Sequence, residues 1–222
     1  MFIDTHTHLY LEDYDADREE VIQRAREAGA VALLQPNVDA SSYAPMMVLC
    51  DAHPDFCYPM IGLHPTELPA TDVDATLDEM ERLLNANPSR FVAVGEVGLD
   101  FYWDASRAEE QLAAFQRQIQ WALRYDLPIM IHSRSAHRQL VNTLLPYAKE
   151  FVCVTPHNSR GLSAQALCDT LTELGAAAAA CDTVEQGISA ALTRSKGGVT
   201  VAFGSLYLAG EVRTVYFEKF KA

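Results

Sequence analysis

The chain has 222 residues, 49% hydrophobic and 21% charged, with a formal net charge of -13. That composition supports a buried core and excludes a disordered chain. Its acidity argues against the broad Lys/Arg surface that holds long phosphate tracts. A small phosphate pocket furnished with bound cations remains open. The five cysteines form no CxxC pair, and four of them sit in apolar or helical contexts as small core residues, which fits a reducing cytoplasm. The sequence shows no basic-then-apolar leader and no charge-free apolar run of about 18 residues, so neither secretion nor membrane spanning is expected.

In chain order, short apolar runs alternate with helical stretches. FIDTHTHL (2–9) reads as a strand, and DADREEVIQRAREAG (15–29) as a helix with Val21, Ile22, Ala25 and Ala28 at helical spacing and Gly29 as its stop. AVALLQPNV (30–38) and CYPMIGLHP (57–65) are the next strands. TDVDATLDEMERLLNANP (71–88) is a helix, RFVAVGEVGLD (90–100) a strand, AEEQLAAFQRQIQWALRYD (108–126) a helix and PIMIHSR (128–134) a strand. Beyond residue 150, FVCVTP (151–156), AAAAACD (176–182) and VTVAFGS (199–205) read as strands, separated by helices over 162–175 and 183–195 and followed by a last helix in 211–220. Parallel neighbours need long crossovers, so this alternation predicts an α/β protein of βαβ units. Eight units would close a TIM-type (β/α)8 barrel, lean at this length. The alanine run is a specific difficulty, because a barrel interior is usually filled by Val, Ile and Leu.

Active sites in parallel α/β proteins lie at the carboxyl ends of the strands. His6 and His8, two apart on a strand, point to one side. His64 follows the third strand, Glu96 and Asp100 end the fourth, His132 ends the fifth and His157 follows the sixth. Neutral imidazole and carboxylate suit zinc, manganese and similar ions, and paired metals usually share a bridging carboxylate. Each residue has a plainer reading alone: an edge-strand pair for the first histidines, a core histidine for His132. Glu96, two residues past an apolar run, is costly to bury unless paired or bound to a cation. Arg134 is placed to contact phosphate or to lie solvated on a loop.

THTHL (5–9), GLHP (62–65), GEVGLDFY (95–102), EEQLAAFQRQIQWALRYDLPIMIHSRSAH (109–137) and a histidine after the next strand resemble the TatD family of metal-dependent deoxyribonucleases over about the first 150 residues. The resemblance implies a TIM barrel, one or two divalent ions (Zn, Mg or Mn) and hydrolysis of phosphodiester bonds in DNA. It implies His6 and His8 on one metal, Glu96 bridging, His132 and His157 on the second, and His64 and Asp100 as pocket or catalytic residues. TatD-like sequences carry a metal-binding aspartate after the last strand; here Gly204 and Ser205 stand there, and the FSG signature is missing after His157. Asp182 is a possible replacement or, more simply, a helix cap beside Thr183.

Residues 151–222 resemble instead the carboxyl end of folylpolyglutamate synthase/dihydrofolate synthase, in VTPHNSRGLSAQALCDTLTELG (154–175), DTVEQGISAAL (182–192) and GSLYLAGEVR (204–213). The chain is therefore expected to be a hybrid: residues 1–150 supply TatD-like barrel units, and a Mur-ligase-type segment over 151–222 completes one packed domain. No GxxxxGK[ST] phosphate loop occurs, which argues against a folate ligase. Two readings stand: a monomeric cytoplasmic phosphodiesterase acting on DNA or a small phosphodiester, weakened by the missing aspartate, and a catalytically silent hybrid that keeps a metal site. An amidohydrolase-like attack on a C–N bond is a third, less favoured by GEVGLDFY.

Overall fold

A computed structural model describes residues 2–69, 72–157, 162–195 and 206–220. Contacts divide the chain into two compact units, Met1–Leu140 and Val141–Ala222. The first contains β1 (Phe2–Asp4), α1 (Arg18–Glu27), β2 (Ala30–Gln35), α2 (Tyr43–Ala52), β3 (Cys57–Pro59), α3 (Val73–Ala86), β4 (Val94–Asp100), α4 (Ala108–Tyr125) and β5 (Ile129–Arg134). β1, β2 and β3 form a parallel sheet in that order, and β4 pairs in parallel with β5. A parallel bridge between Ile61 and Val94 links the segment after β3 to β4. The strands thus follow chain order with helices in the connections, as the βαβ alternation predicts.

Local chemistry explains most boundaries. Gly29 just beyond α1 takes φ 92°, a conformation open to glycine at a helix end. Asp72 begins α3 by accepting the Ala75 N–H at 2.9 Å. α4 buries Gln111, Ala114, Phe115, Gln118, Ile119, Trp121 and Ala122, one face at helical spacing. The sequence pattern does not announce α2: its first turn contains Pro45, and its apolar run carries little amphipathic signal. Its packing makes it a helix, since Met46, Leu49 and Cys50 join Ile22, Leu33 and Phe56 in one core cluster. Full burial of each such large side chain contributes roughly 1.5–3 kcal/mol.

Two strands are shorter than the apolar runs suggest. β1 stops at Asp4, whose Oδ1 accepts the His6 N–H at 3.1 Å, so His6 and His8 lie in the loop beyond the strand and not on it. Thr7 still donates to the Leu34 carbonyl at 3.1 Å, which keeps that loop extended beside β2. β3 covers only Cys57–Pro59, and His64 begins a separate turn.

The second unit contains β6 (Phe151–Val154), α6 (Ala164–Glu173), β7 (Ala178–Cys181), α7 (Val184–Ser195) and α8 (Leu206–Lys219), while α5 (His137–Leu144) crosses the division. β6 and β7 are parallel, from Phe151 opposite Ala178 to Val154 opposite Cys181. The alanine strand therefore pairs, and Ala178 and Ala180 pack on a cluster of Val141, Cys153, Ala164, Cys168 and Leu171. α7 lies close on β6: a Cβ at Gly187 would stand 2.2 Å from Val154 Cγ1. Asp182 is exposed; its N–H donates to Gln186 Oε1 at 3.1 Å, while Thr183 Oγ1 accepts the Gln186 N–H at 3.1 Å. Those bonds give Asp182 the part of a helix-start residue. The expected strand over 199–205, including Gly204 and Ser205, lies outside the described residues, as do residues 158–161.

Two expected outcomes follow from this packing. Gly98 has φ +142°, and a Cβ there would meet the His132 carbonyl oxygen at 2.0 Å. Gly98→Ala should lower stability by about 2 kcal/mol or more, read by chemical denaturation; an unchanged midpoint would contradict the β4–β5 register. On α3, Glu81 accepts from Arg117 Nη2 at 2.7 Å and from Arg124 Nη1 at 2.6 Å, and the Arg117 bond leads in holding its carboxyl below the usual range. A lowered folded-state pKa stabilises above the unfolded value and fades as pH falls through the folded one. Glu81→Gln should cost about 1 kcal/mol at neutral pH, with the difference shrinking below about pH 4; a pH-independent difference in denaturation curves would remove this ion network from the account.

Candidate functional site

Glu96 organises the candidate site. It sits within the fully buried β4 and is 7% exposed. Its Oε2 lies 3.0 Å from His6 Nε2 and 3.8 Å from His8 Nε2, while Oε1 lies 3.2 Å from His132 Nδ1 and 3.7 Å from His64 Nε2. Burial pushes the carboxyl up, but hydrogen bonds with His132, His6 and His64 outweigh it and hold Glu96 well below the usual carboxylate range. The group is an anion with one oxygen turned to each pair of histidines.

The hydrogen bonds also decide which ring nitrogens are free. Tyr10 donates its hydroxyl to the Pro36 carbonyl at 2.6 Å, so the His8 Nδ1 contacts with Tyr10 Oη (2.9 Å) and Pro36 O (3.2 Å) require His8 Nδ1–H as donor. A neutral His8 then carries its lone pair on Nε2, facing His6 Nε2 at 3.0 Å and Glu96. Burial, with help from the charge of His6, pushes the His8 pKa down and favours that neutral ring. The hydrogen bond to Glu96 raises the pKa of His6, which in the metal-free protein holds a proton on Nε2.

His132 bridges two carboxylates, with Nδ1 toward Glu96 and Nε2 2.9 Å from Asp100 Oδ2. Burial lowers its pKa, but these two bonds raise it overall. Asp100, 1% exposed, also accepts the Tyr102 and Trp103 N–H groups on Oδ1 at 2.9 and 3.1 Å. Against the effect of burial, His132 and those amides keep Asp100 below its ordinary range. A carboxylate on the far ring nitrogen fixes a ligand histidine's orientation and basicity. His64 differs. Its Nδ1 lies 2.7 Å from Thr66 Oγ1 and 3.2 Å from the Thr66 nitrogen, and its Nε2 is directed at Glu96.

Two triads meet the spacing of a metal site, His6–His8–Glu96 and His64–Glu96–His132, with ligand atoms within 4.8 Å of one another. Six predicted residues, His6, His8, His64, Glu96, Asp100 and His132, thus lie together. His157 belongs to the second unit, where its side chain is 85% exposed and its Nδ1 pairs with Glu211 on α8.

Sequence reasoning missed the buried amides behind the ligands. Gln111 Oε1 accepts the Asp100 N–H at 2.8 Å and its Nε2 donates to the Asp100 carbonyl at 2.9 Å. Gln118 treats Leu63, next to His64, in the same way at 2.7 and 3.3 Å. Gln35 Oε1 accepts the Leu9 N–H at 3.0 Å beside His8, and the Asn37 carbonyl accepts the Glu96 N–H at 3.1 Å. The available signal was Gln111 and Gln118, seven apart on the otherwise apolar face of α4.

Comparisons with known proteins place the chain in a family. A family model described as TatD related DNase matches residues 3–191. An uncharacterized metal-dependent hydrolase, YjjV of Escherichia coli, is 36% identical over 139 residues, 63% of this chain and 53% of that protein. The 3'-5' ssDNA/RNA exonuclease TatD of Pectobacterium carotovorum is 31% identical over 154 residues, 69% of this chain and 58% of its own length. Human deoxyribonuclease TATDN3 is 34% identical over 167 residues, 71% of this chain and 61% of its own. The crystal structure of YjjV, a TatD homolog, superposes with a TM-score of 0.61 at 30% identity, covering 81% of this chain and 66% of that one. The chain spans little more than half the length of the curated relatives it matches. The family match runs past residue 150, into the segment expected from the sequence to be ligase-like.

Proposed function

The chain belongs to the TatD family of TatD-related DNases, and from that premise we propose that it is a divalent-metal-dependent hydrolase of phosphodiester bonds in DNA. The observation that carries the reading is Glu96, an anion with one oxygen toward His6 and His8 and the other toward His132 and His64. The donor set fits a pair of zinc, manganese or magnesium ions: His8 offers a bare Nε2, Glu96 is ionised, and Asp100 steadies the ring of His132. His6, His8 and Glu96 would hold one ion, and Glu96 with His132 the other. His157, with Nδ1 paired to Glu211, keeps its Nε2 for a metal in this reading.

Bound divalent ions supply acidified water and neutralise charge on phosphate oxygens. The remaining work falls to this chain's own groups. Glu96 keeps the two histidine pairs together and lends its negative charge to both. His64 turns its Nε2 into the same pocket, 3.7 Å from Glu96. Asp100 keeps His132 aimed by accepting a hydrogen bond from its Nε2.

The closed (β/α)8 barrel belongs to the same proposal, supported by the five strands in chain order and the superposition on YjjV, and the proposal takes the protein as a monomer. Among the described residues no helix is long and apolar enough to cross a membrane. Gly204 and Ser205, where a metal-binding aspartate is sought, favour slow turnover. The same pair of residues supports the second reading, a hybrid with a ligase-like carboxyl segment that binds metal without catalysis.

Elemental analysis of the purified protein, beside hydrolysis of a short DNA strand with and without chelator, tests the reading. Stoichiometric metal and chelator-sensitive hydrolysis are expected; metal without hydrolysis would favour the silent hybrid, and no metal would sink both. His132→Ala should lose metal from the second triad, and unchanged content would overturn its assignment. Asp100→Asn should weaken metal binding about 10-fold, read by calorimetric titration, while the fold survives; unaltered affinity would deny Asp100 its orienting role.

A further inference from the structure

Immediately after the buried β4, the chain exposes its most prominent aromatic pair: Tyr102 is 58% and Trp103 69% exposed. Their rings meet edge to face, with centroids 5.1 Å apart and planes at 86°. The Arg134 guanidinium, at the end of β5, lies 3.8 Å from the Tyr102 ring centroid and 5.4 Å from that of Trp103. None of the ion pairs among the described residues includes Arg134, which leaves its charge available to an anion. The platform is tied to the candidate metal site. Asp100 accepts the Tyr102 and Trp103 N–H groups on one oxygen and holds His132 with the other. Arg134 stands opposite Asp100 in the β4–β5 register, and its carbonyl accepts the Phe101 N–H at 2.9 Å.

We propose that Trp103, with Tyr102 and Arg134, forms a stacking subsite for an unpaired nucleobase of the strand whose phosphodiester occupies the His6–His8–Glu96–His132 site. The base lies on the Trp103 ring, and Arg134 contacts the adjoining phosphate. A base inside a duplex has both faces covered by its neighbours, so the subsite takes single-stranded ends and not intact duplex. Net charge explains the need for it: at -13 the chain lacks the broad basic surface that draws in a polyanion, and stacking supplies affinity independent of base identity. A role in core packing would bury Trp103, whereas the residue is 69% exposed. This inference rests on the phosphodiesterase reading of the site.

The test is the dissociation constant of end-labelled hexathymidylate, followed by fluorescence anisotropy in the wild type, Trp103→Ala, Trp103→Phe and Arg134→Gln, beside a self-complementary duplex of equal strand length. Trp103→Ala should weaken single-strand binding on the order of tenfold, Trp103→Phe should restore most of it, and duplex binding should change little. Arg134→Gln should weaken binding and reduce its salt dependence. Equal affinity for wild type and Trp103→Ala, equal losses for single strand and duplex, or no measurable binding by the wild type would each overturn the subsite. Metal content and unfolding temperature of Trp103→Ala should match the wild type. The subsite can therefore fail while the phosphodiesterase reading, which the metal content of His132→Ala tests, still stands.

Discussion

A buried carboxylate that must stay charged governs this molecule's candidate site. Desolvation alone would protonate Glu96, and without counter-charges it would be among the least favourable groups in the core. Four imidazoles from two strand-end regions and a turn converge on it, and hydrogen bonds from His132, His6 and His64 more than offset the cost. The requirement runs both ways. Histidines brought this close would repel one another if protonated without the anion between them. Glu96 thus fixes where β1, β3, β4 and β5 must end, which is a constraint on the fold as much as on chemistry.

The surrounding groups separate the histidines by role. His8 is held neutral with its Nε2 lone pair inward, His6 pairs with Glu96, and His132 is shared between two carboxylates. Chemically identical side chains thereby become an acceptor and two rings that would surrender protons to bind a cation. Metal capture by such a set is coupled to proton release. The His8 tautomer follows from a backbone carbonyl that strand pairing holds in place, so the chemistry inherits the precision of the sheet.

Much of this was legible because strand ends and ligand residues coincide in sequence: His6, His8, Glu96 and His132 each follow an apolar run, and the structure brings them together. What stayed hidden depends on contacts distant in the chain. The spacing of His6 and His8 suggested a strand, yet β1 ends at Asp4, and a loop bonded to Leu34 draws the rings together. His64 Nδ1 is held against Thr66, two residues on, and no periodicity encodes it. α2 carries too little polar pattern to declare itself, and packing against β2 and β3 decides it. The pairing of His157 Nδ1 with Glu211, fifty-four residues away, is another contact that no local pattern announces.

Gln111 and Gln118 have a consequence for how this sequence tolerates change. Each amide imitates a peptide group, closing a two-bond ring with one backbone residue as a neighbouring strand would. α4 is therefore keyed to the segments bearing Asp100 and His64 at two points separated by two helical turns. Inserting or deleting one residue between the keys would rotate one amide by about 100° relative to the other and leave buried backbone groups unpaired. Length in that stretch should vary among related proteins only by whole-helix replacement, while the exposed side of the same helix is free to drift.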